Sequence, residues 1–75
     1  MDALHRKFVR RVRLLMQRKR LSLNRLADFS GIGRGGLSEN LAGKSSPTLR
    51  TLGRIAEALD VEVRDLLPDD ETRSK

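Results

Sequence analysis

The 75-residue sequence has no cysteine, tryptophan or tyrosine and only two prolines. Without cysteine, the chain has no disulfide framework and no thiolate metal site. No stretch resembles a signal peptide, and no apolar run reaches the ~18 residues of a membrane helix, so we expect a cytoplasmic protein. A chain of this length makes one small domain and does not enclose a deep substrate cleft. We therefore expect neither an enzyme nor a bound cofactor.

Acidic residues are scarce in the first three-quarters of the chain. Residues 1–54 hold 13 of the 16 Lys and Arg and three acids, a formal charge of +10, whereas residues 55–75 hold 3 basic and 7 acidic residues, a charge of −4. A one-sided basic surface attracts polyanions, which makes nucleic acid the leading partner. The alternative interpretation is a solvated helix face.

Apolar residues recur at helical spacings, which predicts an all-α domain of five helices over residues 1–67. Asp2, Ser22 and Thr48 are the predicted N-caps of the first, second and fourth helices. Gly31 and Gly43 are predicted to end the second and third. The residues predicted to face the core are Leu4, Phe8, Val12, Leu15, Leu23, Leu26, Ala27, Ser30, Leu37, Leu41, Leu49, Leu52, Ile55, Ala56 and Leu59. Residues 68–75 offer no apolar side chain to bury and are predicted to be a disordered tail.

The second and third predicted helices have the spacing of a helix-turn-helix. Both are short, and the turn between them starts at Gly31, four residues after Ala27 and six before Leu37. A small residue such as Ala27 lets the two helices cross closely. The stretch "LSLNRLADFSGIGRGGLSENLAGKSSPTLRTLGRIAEALDVEVRDLL" resembles the Cro and lambda-repressor type of helix-turn-helix domain, the xenobiotic-response-element family. The "GK..PTL" loop and "IAEALDV" are the most typical segments.

The resemblance implies a compact five-helix fold and a sequence-preferring regulator of transcription that binds double-stranded DNA. Its third helix would enter the major groove. The implied DNA-contacting positions at the starts of the second and third helices are Ser22, Leu23, Gly33, Arg34, Gly35, Ser38 and Glu39. The expected phosphate contacts are Ser38, Lys44, Ser45 and Arg50, with Arg25 as a further candidate.

Two charged side chains of the third helix have competing interpretations. Arg34 can make a bidentate contact with guanine O6 and N7, or it touches a phosphate or pairs with Glu39 or Asp28. Glu39 accepts a hydrogen bond from cytosine N4, or it acts as a repulsive filter in the groove.

Several positions depart from the family pattern. Leu23 stands where a glutamine that contacts phosphate is common, and Gly33 and Gly35 stand where polar side chains read bases. Asn40 replaces an apolar core residue, so either the third helix is rotated slightly or the amide is buried against backbone groups. A frequent Arg–Glu pair between the first and third helices corresponds here to Met16 and Leu41, and apolar residues can replace such a pair without loss.

Three further features of the sequence indicate a function less strongly. Gly31-x-Gly33-x-x-Gly36 matches the dinucleotide-binding fingerprint, but no strand precedes it. His5 has no partner at metal-ligand spacing and is expected to be exposed. The glycines that open the third helix either allow close approach to a ligand or are relics of a helix that no longer reads bases.

The function and the assembly also have alternatives. A basic amphipathic first helix could lie on a membrane, although its apolar stripe is needed for the core. A protein-interaction or antitoxin-like regulatory module is the more serious rival, because Phe29 is expected to face outward. The alternative for Phe29 is a side chain folded against the first helix. A homodimer is expected from the resemblance and from four apolar residues partly surplus to the core. These are Val61, Val63, Leu66 and Leu67.

Overall fold

The computed structural model describes residues 2–67, and these fold into five α-helices without a strand. The helices are α1 (Ala3–Lys19), α2 (Leu23–Ser30), α3 (Arg34–Ala42), α4 (Leu49–Ala58) and α5 (Val63–Leu66). This confirms the predicted all-α fold. The predicted disordered tail, residues 68–75, lies outside the described residues. No helix in the described range has both the length and the hydropathy needed to cross a bilayer.

All three predicted N-caps are present. The Asp2 carboxylate accepts a hydrogen bond from the backbone N–H of His5 at 2.8 Å. The hydroxyls of Ser22 and Thr48 each accept from the N–H three residues later, at 3.1 Å. Each cap satisfies one of the backbone donors that a helix leaves unpaired in its first turn, and typically contributes about 1 kcal/mol.

The two predicted glycine stops are also present. Gly31 ends α2 with a φ of 74°, and Gly43 ends α3 with a φ of 82°. Both angles lie in the left-handed region that side chains with a Cβ rarely adopt. These stops end α2 after eight residues and α3 after nine.

One apolar core joins the five helices. Helix α2 packs against α3 and α4, α5 packs against α4 and α1, and α1 also contacts α3. The buried apolar residues are Phe8, Val9, Val12, Leu26, Ala27, Leu37, Leu41, Leu52, Ile55, Ala56, Leu59 and Leu66. The four-residue α5 thus closes the core by inserting Leu66 between α1 and α4.

Three apolar residues do not lie where the sequence predicted. Leu4 and Leu49, expected in the core, are 57% and 82% exposed. Each lies in the first turn of its helix, at the margin of the core, and periodicity gives direction around a helix but not depth. Leu66, expected to be partly surplus, is fully buried, whereas Val61, Val63 and Leu67 are half-buried against the core.

Candidate nucleic-acid interface

Helices α2 and α3 are joined by a small hydrogen-bonded turn. Ala27 and Leu37 are buried between the helices, at 6% and 0% exposure. The N–H of Gly31 donates to the Ala27 carbonyl at 3.0 Å, and the buried hydroxyl of Ser30 donates to the same carbonyl at 3.2 Å. That hydroxyl accepts from the N–H of Ile32 at 3.3 Å. The turn therefore leaves few free backbone groups and sets the direction in which α3 begins.

The start of α3 is made of backbone with almost no side chain. Gly33 is the N-cap and provides no side-chain hydrogen bond to the first turn. Neither Gly35 nor Gly36 has a positive φ. A Cβ built at Gly33 or Gly35 meets nothing within 4 Å, and one at Gly36 meets only the Ile32 side chain, at 4.0 Å. A Cβ can therefore be accommodated at each of these three positions, and glycine there places no side chain over the N–H groups of the first turn.

The predicted contact residues lie at four places on the surface. Ser22 and Leu23 begin α2, Arg50 lies in the first turn of α4, and Lys44 and Ser45 lie in the loop between α3 and α4. The remaining residues, Gly33, Arg34, Gly35, Ser38 and Glu39, lie on α3 or at its N-cap. All ten are exposed except Leu23, which is half-buried.

The predicted residues of α3 fall on its outward side. The buried positions of this helix are Leu37, Asn40 and Leu41. Arg34 and Ser38 are four residues apart, as are Gly35 and Glu39, so each pair forms one line along the helix surface. The outward side therefore presents two lines of side chains, one of which begins with a glycine.

Arg34 is the first residue of α3. Its side chain is exposed and makes no ion pair with Glu39 or Asp28, the two partners considered from the sequence. The described residues include an ion pair between Arg64 and Glu62 at 2.9 Å, on α5 and its N-cap. An exposed guanidinium beside the first turn of α3 gives this end of the helix a positive potential.

Asn40 is buried on the inner side of α3, at 7% exposure. Its side-chain nitrogen donates to the carbonyl oxygen of Ser45 at 3.0 Å and to the Ser45 hydroxyl oxygen at 3.1 Å. Of the two alternatives considered for this departure, the structure shows the burial of the amide against backbone groups.

His5 is not the freely exposed side chain expected from its place near the N-terminus. It is half-buried, and its Nε2 donates to the backbone carbonyl of Asn40 at 2.8 Å. The expectation of exposure was wrong because α1 lies against the last turn of α3, a contact between residues 35 positions apart.

Comparison with known proteins identifies the architecture. The family model for the helix-turn-helix, of Cro/C1 type, matches residues 12–66. The chain belongs to this helix-turn-helix family. It is a family of regulatory DNA-binding proteins rather than enzymes. The predicted resemblance is thereby confirmed.

Two solved structures are similar to this helix-turn-helix protein. The restriction-modification controller protein C.AhdI from Aeromonas hydrophila is 35% identical, with a TM-score of 0.80 over 87% of this chain and 98% of that chain. A chain of the SinR protein/SinI protein complex is 27% identical, with a TM-score of 0.77 over 91% of this chain and 68% of that chain. No curated protein matches the sequence.

The helix-turn-helix also has a basic edge that was not among the predicted contact residues. Arg18 and Lys19 form the last turn of α1, and Arg20 caps it with a φ of 55°. All three are exposed and come directly before Ser22, the N-cap of α2. The charge run was visible in the sequence. Its position beside the start of α2 depends on the sharp left-handed turn at Arg20.

Proposed function

We propose that this protein is a sequence-preferring regulator of transcription that binds double-stranded DNA through α3 in the major groove. The observation that carries the proposal is the uncovered, outward side of α3 within a family helix-turn-helix. The formal charge of +10 over residues 1–54 supports a polyanionic ligand. Such a regulator acts in the cytoplasm, where the DNA lies, and needs neither catalysis nor a cofactor.

The side chains around α3 fall into two classes, those suited to base edges and those suited to phosphates. Arg34 suits a guanine edge, because it is exposed, cationic and at the start of the helix. Glu39 lies one turn further along, where a carboxylate accepts from cytosine N4 or disfavours other bases. The short or flexible donors around them suit phosphate: Ser22, Ser38, Lys44, Ser45 and Arg50.

Backbone contributes to the same surface. Gly33 and Gly35 allow the first turn of α3 to come closer to DNA than a Cβ would permit, with N–H groups directed at a phosphate. Leu23 offers an apolar contact in place of the hydrogen bond that a glutamine would make. We therefore expect fewer side-chain contacts than in typical family members and a larger share of backbone contact.

Amide chemical-shift mapping tests the proposed surface. A 15N-labelled sample is titrated with a random duplex and observed by two-dimensional NMR at low salt. We expect the largest shifts at Ser22 and Leu23, at residues 33–39, and at Lys44 and Ser45. Shifts confined to α5, or to the outward side of α1, would contradict the proposed orientation.

We also propose that the protein acts as a homodimer, with the two α3 helices in successive major grooves about 34 Å apart. The supporting observation is a pair of exposed leucines, Leu4 and Leu49, which line one shallow groove together with Pro47 and Leu67. Large exposed apolar side chains that cluster favour association. Sedimentation equilibrium of Leu49→Ser beside the unmodified chain tests the homodimer. We expect the variant to dimerise more weakly. A monomer in both samples at high concentration would contradict the proposed homodimer.

A second candidate function is protein binding with weak DNA affinity, as in an antitoxin-like module. It is favoured by Phe29, which is 58% exposed near the end of α2. The similar chain from the SinR protein/SinI protein complex was solved with a protein partner. No binding to duplex DNA at low ionic strength would favour this candidate over the first.

A further inference from the structure

The loop between α3 and α4 carries two of the proposed phosphate contacts, Lys44 and Ser45, yet it has no regular secondary structure. The backbone of Lys44 is fixed, since its N–H donates to the Glu39 carbonyl at 2.9 Å. Ser45, one residue further on, is tethered through the two hydrogen bonds from Asn40. Asn40 thus connects the buried side of α3 to the exposed loop.

The chemistry of these bonds determines how Ser45 can meet a ligand. A backbone carbonyl only accepts hydrogen bonds, so the Asn40 group that faces it is the NH₂, and that NH₂ also donates to the Ser45 hydroxyl oxygen. A hydroxyl oxygen that already accepts directs its own hydrogen elsewhere and becomes a better donor. Phosphodiester oxygens only accept, so they are suitable partners for an exposed hydroxyl held in this state.

Asn40 itself is well fixed. The residue is only 7% exposed, and its backbone carbonyl accepts from His5 Nε2 at 2.8 Å. It also accepts from the N–H of Gly43 at 3.3 Å, at the end of α3. An apolar residue at this position would fill the same space but would offer no donor to Ser45.

We propose that Asn40 is a positioning residue for the DNA backbone: it orients the Ser45 hydroxyl as a hydrogen-bond donor to a phosphate. The proposal rests on the proposed DNA-binding function. It assigns a role in ligand binding to a buried polar residue that stands where the family pattern has an apolar one. His5 supports the arrangement from α1 by holding the Asn40 backbone.

A double-mutant cycle with Asn40→Leu and Ser45→Ala tests the proposal, measured as the affinity for a random duplex across a salt series. Each single variant should bind about tenfold more weakly, the typical effect of one hydrogen bond to a charged group. The double variant should also lose about tenfold, because the two residues act on the same contact. The slope of log K against log salt should not change, since no cationic contact is lost.

Several outcomes would overturn the proposal. The first is an unchanged affinity in Asn40→Leu, and the second is a loss of affinity that multiplies to about a hundredfold in the double variant. The third is a reduced slope of log K against log salt, which would indicate displacement of α3 instead. Thermal unfolding monitors the fold. Because Ser45 is exposed, Ser45→Ala is expected to fold even if Asn40→Leu does not, and unchanged affinity in Ser45→Ala alone contradicts the proposal. Absence of duplex binding by the unmodified chain would instead contradict the proposed function itself.

Discussion

Gly35→Ala separates what α3 needs for folding from what it needs for binding. Gly35 is the second residue of α3, its φ is not positive, and an added Cβ meets nothing within 4 Å. Alanine therefore gains helix propensity without a steric cost, an increase in stability of about 0.5–1 kcal/mol. For a domain of this size about 1 kcal/mol shifts Tm by roughly 4–8 °C, so we expect Tm to rise by roughly 2–8 °C.

The assay is thermal unfolding followed by circular dichroism, beside a DNA-binding isotherm for the same sample. Gly53→Ala is the matched control, because Gly53 lies inside α4, also lacks a positive φ and also has open space for a Cβ. Both variants should be more stable, and only Gly35→Ala should bind its specific site more weakly, since the new methyl occupies the approach surface.

Two results would refute this reasoning about Gly35. Tighter binding together with higher stability would mean that the glycine makes no close approach, and that it is a relic of a helix that once read bases. Lower stability in Gly35→Ala, with the expected gain in Gly53→Ala, would contradict the helical geometry at the start of α3.

Two further predictions concern the core and the base contact. Leu41→Ala should destabilise the fold by about 2–5 kcal/mol because Leu41 is buried, and Leu41→Glu should cost more, because it buries a charge with no partner. If Met16 contacts Leu41, adding Met16→Arg to Leu41→Glu should recover much of that loss in urea unfolding, and purely additive damage would argue against the contact. Arg34→Ala should remove about 1–3 kcal/mol from specific binding only, measured by competition between a selected site and random duplex. Equal weakening on both duplexes would make Arg34 a phosphate contact.

The sequence predicts those parts of the fold that depend on local chemistry. The N-caps at Asp2, Ser22 and Thr48 and the stop at Gly31 each follow from the residue and its immediate neighbours, and all are present. Periodicity shows which face of a helix is apolar, but burial also depends on where the helix extends past its neighbours. The pattern that located the core therefore also predicted burial for Leu49, which is exposed.

The candidate site was less accessible to sequence reasoning. Seven of the ten contact positions came from the family resemblance, the other three were expected as phosphate contacts from their donor groups, and the roles of all ten toward DNA stay predictions. The hydrogen bond from His5 to Asn40 joins α1 to α3 across 35 positions, and no spacing rule detects such a contact. Burial of the Asn40 amide against backbone groups is one of two alternatives that the sequence offers, but the sequence does not identify Ser45 as the partner.

The central claim, that this helix-turn-helix domain binds the DNA backbone over its basic surface, is tested most directly by a salt titration on random duplex. Each phosphate neutralised should contribute about −0.9 to the slope of log K against log salt. We expect a steep slope that corresponds to several phosphate contacts per protomer. A flat salt dependence, or no duplex binding at low ionic strength, would contradict the account and favour a protein partner.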